Sequence, residues 1–141
     1  MLAGCGSKGA VSLSGRIDAP SLEVASSVLV TSVEGRFDLV LELGDAAPRS
    51  TTVELGSFAL RQGDAVLAEP LELSASERFP LEIAPSGSRS VEFTFSQELA
   101  DTGARDAICA GQVWFSGNVI DSLSEGRATP VSSGEFAPVC P

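Results

Sequence analysis

Hydrophobic residues recur at every second position through much of the chain. Phe37, Leu39, Leu41 and Leu43 alternate with Asp38 and Glu42, the period of a strand with one face on a core. Val91, Phe93 and Phe95 alternate in the same way with Glu92, Thr94 and Ser96. Shorter runs repeat the pattern at Val11–Leu13, at Val53–Leu55 after the Ala46-Ala47-Pro48 break, and at Phe79, Leu81 and Ile83. Phe58–Leu60 and Val66–Leu67 flank Arg61-Gln62-Gly63-Asp64, which predicts a hairpin loop. Leu71 and Leu73 follow Pro70, and Pro85-Ser86-Gly87-Ser88 is a turn by composition.

The segment from Ile108 to Ile120 is apolar on both faces, with Ile108 and Trp114 on one side and Cys109, Val113, Phe115 and Val119 on the other. This predicts a central strand covered on both sides, with Trp114 in the core. Ser124-Glu125-Gly126 turns the chain into a last strand from Arg127 to Phe136, where Pro130 implies an interruption or a sheet edge. The only helical prospect is a single turn between Gln97 and Ala107. About eight or nine short strands, with turn signals roughly every 8–12 residues, predict an all-β antiparallel sandwich of immunoglobulin- or fibronectin-like arrangement. An up-and-down β-barrel is the alternative. Residues 1–9 form a flexible tether in this reading, Gly6-Ser7-Lys8-Gly9 being its Gly/Ser-rich part, and residues 10–141 form one domain.

Composition changes the picture mainly by exclusion. With 43% hydrophobic and 20% charged residues the 141-residue chain is globular rather than disordered. Its formal net charge is −10. Such a surface repels phosphate backbones and offers no polybasic patch for anionic lipids, so no nucleic-acid partner is expected. No apolar run approaches the ~20 residues of a spanning helix.

Leu2-Ala3-Gly4-Cys5 resembles the lipobox of bacterial lipoproteins, in which signal peptidase cuts before the cysteine and that cysteine is lipidated. Small side chains at Ala3 and Gly4 suit a peptidase groove, and the Cys5 thiol is the point for a diacylglyceryl thioether. The resemblance covers only the N-terminus, where Met1 and Leu2 alone stand in place of basic and apolar leader regions. It implies a lipid anchor in a membrane through Cys5. Because Gly6, not aspartate, follows the cysteine, it also implies the outer membrane of a Gram-negative envelope. Three cysteines are an odd count for an exported protein. Lipidation of Cys5 accounts for one, leaving Cys109 and Cys140 to form a disulfide in an oxidising compartment.

The chain has no histidine and no tyrosine, which removes the commonest general base and rules out a Ser-His-Asp triad within one subunit. Ala100-Asp101-Thr102-Gly103-Ala104 resembles the Asp-Thr-Gly-Ala signature of retroviral-type aspartic proteases, which implies Asp101 as one half of a dimeric carboxylate pair. The motif falls late in the chain, whereas in that family it falls early, and the expectation is an exposed loop acid. Asp45, Asp64, Asp101, Asp106 and Asp121 all fall at predicted loops. None has the regular calcium-loop spacing, and solvated loop charge is the expectation. Two cysteines without histidine fall short of a zinc set. No metal, cofactor or catalytic residue is expected. The functional expectation is an envelope-anchored, non-catalytic structural domain whose partner is another envelope protein. The alternatives are a carbohydrate- or peptidoglycan-binding module and, more remotely, the aspartic protease.

Overall fold

Two antiparallel sheets pack face to face, and the strands with the strictest alternation lie at their centres. The computed structural model describes residues 11–27, 29–99 and 103–141. The strands are β1 (Leu13–Ser26), β2 (Thr31–Leu43), β3 (Thr51–Gln62), β4 (Ala65–Ala68), β5 (Ser74–Ala75), β6 (Leu81–Ile83), β7 (Ser88–Leu99), β8 (Trp114–Asp121) and β9 (Ala128–Ser132). One short helix, α1 (Ala104–Ile108), lies between β7 and β8. The first sheet runs β1-β2-β7-β5 and the second β4-β3-β8-β9, with β6 also paired to β3. With β6 left unlettered, the others lettered in chain order give the A-B-E-D and C′-C-F-G sheets of an immunoglobulin-type sandwich. The sheets do not close into a barrel.

Alternation becomes burial directly. In β2, Phe37, Leu39 and Leu41 are fully buried, and β7 supplies Val91, Phe93 and Phe95 from the same inner face. All seven phenylalanines join one ring cluster. Phe37 lies 5.4 Å from Phe93 and 5.1 Å from Phe115, and Phe58, Phe79, Phe95 and Phe136 attach around them. Pairs at these separations add about 0.5–1.5 kcal/mol each to the burial of their area. Gly117 on β8 admits the cluster, because a Cβ there would stand 2.3 Å from the Phe58 ring.

Several expectations need correction. β1 extends far beyond Val11–Leu13, continuing to Ser26 through a register shift between Asp18 and Ser21, where Ala19 takes φ 50°. Ile108 belongs to α1 rather than to a strand, and it is fully buried there. β8 starts at Trp114 and is buried on one face only. Val113, Phe115 and Val119 point inward, while Trp114 is half-buried and Ile120 is 37% exposed on the outer face. Trp114 is therefore not a core residue. Asp121 is not a loop residue either, since it ends β8 and is 2% exposed. The hairpin between β3 and β4 forms as expected, with Gly63 at φ +56°. β9 is an edge strand that carries Pro130, paired with Asn118.

Candidate functional site

The site is built on the outer face of the second sheet. β3 carries a bulge between Leu55 and Phe58, which displaces Gly56 and Ser57 opposite the single residue Asn118. Gly56 is required at this point, because a Cβ there would lie 1.7 Å from Asn118 Oδ1. Beyond the bulge Arg61 comes into register with Trp114, and Ala59 with Ser116. The Arg61 guanidinium carbon stands 5.6 Å from the Trp114 ring centroid, a cation–π contact. Arg61 Nε donates to Ser116 Oγ at 2.7 Å, and Trp114 Nε1 donates to the Gly63 carbonyl at 3.0 Å. Indole and guanidinium are thus each held by a hydrogen bond besides their mutual cation–π contact.

Around this pair lies an open groove of ≈ 460 Å³, with Asn118 and Ser132 along β8 and β9 and Glu69 at its other side. Ser57 Oγ donates to the Glu69 carboxylate at 3.2 Å, which holds the acid beside the bulge. The groove offers one aromatic ring, one cation, one carboxylate and several neutral hydrogen-bonding groups.

A larger hollow of ≈ 670 Å³ lies across the other sheet, with Glu23, Glu34 and Glu72 among its lining residues. On that sheet Arg16 donates to Asp18 at 3.0 Å and to Glu42 at 3.1 Å, and Arg36 pairs with Glu92. The hydrogen bonds to Asp18 and then to Glu42 raise the pKa of Arg16.

The residues singled out from the sequence are distributed elsewhere. Cys109 and Cys140 are joined in a disulfide with their Cα atoms 6.2 Å apart. Cys5 lies outside the described residues, as do Asp101 and Thr102 of the Asp-Thr-Gly motif. Asp45, Asp64 and Asp106 are exposed, whereas Asp121 is buried and accepts a hydrogen bond from Thr51. Among the described residues no three His, Cys, Asp or Glu side chains come together in a metal-binding group, and no helix is long and apolar enough to cross a membrane. Sequence reasoning missed Arg61. Its signal was present in the placement of an arginine at the end of an alternating strand, but its partner Trp114 lies far along the chain.

The fold and groove define an all-β sandwich with a polar, aromatic-bearing outer face. Comparison with family models, curated proteins and solved structures gives no match.

Proposed function

We propose that this protein is a non-catalytic binding domain held at a bacterial envelope by a lipid on Cys5, in the outer membrane, with another envelope protein as its partner. The observation that carries the reading is the pairing of Cys109 with Cys140. Of three cysteines, it leaves only Cys5 without a disulfide partner in the same chain, and Cys5 ends the lipobox-like segment. A structural disulfide also fits an oxidising compartment outside the cytoplasm. The test is intact mass spectrometry of the gene product from its host. The mature chain should begin at Cys5 and carry acyl mass, and Cys5→Ser should move it from the membrane to the soluble fraction. An unmodified Cys5 in a soluble cytoplasmic protein overturns the proposal.

A second reading, a module that binds carbohydrate or peptidoglycan, is favoured by one observation: the only tryptophan stands half-buried in an open polar groove. Aromatic rings flanked by hydroxyl and amide groups suit sugar faces and sugar hydroxyls. Large exposed apolar side chains, in contrast, come from separate segments. Val11 precedes β1, Leu29 lies between β1 and β2, Val66 is on β4, Ile120 on β8 and Val139 in the C-terminal tail. Co-sedimentation with purified peptidoglycan, compared between the native chain and Trp114→Ala, separates the two readings.

A further inference from the structure

Among the described residues Arg61, like Arg49, Arg78 and Arg127, forms no ion pair, but unlike those three it is held by a side-chain hydrogen bond and a ring contact. Arg16, Arg36, Arg89 and Arg105 each lie within ion-pair distance of a carboxylate. Among the described residues no carboxylate lies that close to Arg61, although the groove contains Glu69. Nor is Arg61 a loose surface side chain. The cation–π contact with Trp114 and the Nε bond to Ser116 hold the guanidinium over the groove. That bond uses Nε and leaves Nη1 and Nη2 without partners among the described residues. The Nη1–Nη2 edge is the geometry that takes a carboxylate through two parallel hydrogen bonds.

We propose that this groove binds a saccharide bearing a carboxylate, of the uronic-acid type, with the Nη1–Nη2 edge of Arg61 holding the carboxylate. The inference rests on the carbohydrate reading above and adds to it the charge of the ligand. The surroundings select the rest of the molecule. Ser132 and Asn118 offer a hydroxyl and an amide to ring hydroxyls, and Trp114 offers aromatic surface to ring C–H groups. Glu69 in the groove, and the net charge of −10 around it, penalise a phosphate dianion more than a carboxylate monoanion. Immobilising Arg61 before the ligand arrives lowers the entropic cost of forming the pair.

Trp114 is the only tryptophan and the chain has no tyrosine, so intrinsic fluorescence reports on this groove alone. The full chain is titrated with tri-galacturonic acid, with neutral maltotriose and with inorganic phosphate. Tri-galacturonic acid should give a saturable change, with maltotriose and phosphate each weaker by about tenfold or more. Arg61→Gln should weaken tri-galacturonic acid by a similar factor at an unchanged thermal midpoint. Should that variant lose stability, Ser132→Glu decides instead, since it adds a repelling carboxylate and leaves the Arg61–Trp114 contact in place. Equal affinity for maltotriose overturns the carboxylate assignment and leaves the carbohydrate reading intact. Absence of binding to either saccharide overturns both. Equal affinity for phosphate, or an unchanged curve in a folded Arg61→Gln and in Ser132→Glu, also overturns the inference.

Discussion

At the scale of single residues, Thr51 joins two groups that would otherwise be unsatisfied in the interior. Its hydroxyl donates to Asp121 Oδ2 at 2.6 Å and accepts from the Leu123 N–H at 3.2 Å. Thr51 is fully buried, Asp121 is 2% exposed, and Asp121 Oδ1 has no protein partner. Neighbouring Ser122 accepts from the Thr52 N–H, so β3 and the end of β8 are tied at this point by side chains as well as by the strand ladder. Thr51→Val preserves the shape but leaves Asp121 Oδ2 and the Leu123 N–H without their side-chain partner. Stranding buried polar groups costs about 1–3 kcal/mol each, more when one is charged, so the variant should lose roughly 2–3 kcal/mol in urea unfolding. Thr51→Ser should keep most of that stability. A loss below about 0.5 kcal/mol for Thr51→Val, the range of ordinary surface substitutions, would show that the hydroxyl does not carry this joint.

At the scale of elements, the C-terminal tail fastens the two sheets to each other. Phe136 exchanges two backbone hydrogen bonds with Val113, at 2.8 and 2.9 Å, just ahead of β8. Three residues later Val139 bonds to Leu22 and Val24 on the outer edge of β1, which belongs to the other sheet. Cys140 then closes onto Cys109 beside α1, and Arg105 donates to the Pro141 carbonyl at 2.8 Å. Closing 31 residues contributes roughly 3–4 kcal/mol on the chain-entropy account. Cys140→Ser should lower stability by about that amount. Hydrogen exchange should also accelerate at the Val24 amide, which bonds to Val139, by more than at the Leu39 amide in the centre of β2. Equal acceleration at the two amides would show that the tail does not open separately. Much of this level was legible in advance. The strict alternation of β2 and β7 and the turn at Ser124–Gly126 needed only local pattern, as did the edge position of Pro130. The disulfide followed from counting cysteines. β1 was missed because its outer face carries Arg16, Asp18 and Glu23 around Pro20, and because its bulge breaks the period. Trp114 was assigned to the core because an apolar side chain in a central strand is ordinarily covered. Its actual cover is Arg61, from a strand distant in sequence, and a local pattern cannot supply that contact.

At the scale of the whole molecule, charge works against the fold. Nineteen acidic residues face nine basic ones, and the register of the first sheet concentrates some of them. Asp18, Asp38 and Glu92 occupy paired positions across β1, β2 and β7, and Glu23 pairs with Glu34 in the same sheet. Like charges opposite one another in a sheet destabilise it. Arg16 and Arg36 offset part of this through their bonds to Asp18, Glu42 and Glu92, yet every side chain in those pairs is at least 38% exposed. Exposed pairs of this kind contribute about 0–1 kcal/mol, and salt weakens them. The two effects of salt therefore oppose each other: it screens the repulsion of ten excess charges and also the attraction of a few exposed pairs. Repulsion acts over longer distances and among more partners, and it is relieved when the chain expands on unfolding, so its screening should dominate. Raising NaCl from about 0.01 M to 0.15 M shortens the screening length from about 30 Å to about 8 Å. The thermal midpoint should then rise by roughly 3 °C, corresponding to about 1 kcal/mol for a chain of this length. Asp38→Lys, which places a cation between Asp18 and Glu92, should raise the midpoint at low salt and reduce its salt dependence. A midpoint that falls with added NaCl would mean that the ion pairs outweigh the net charge, and the order of these two effects would have to be reversed.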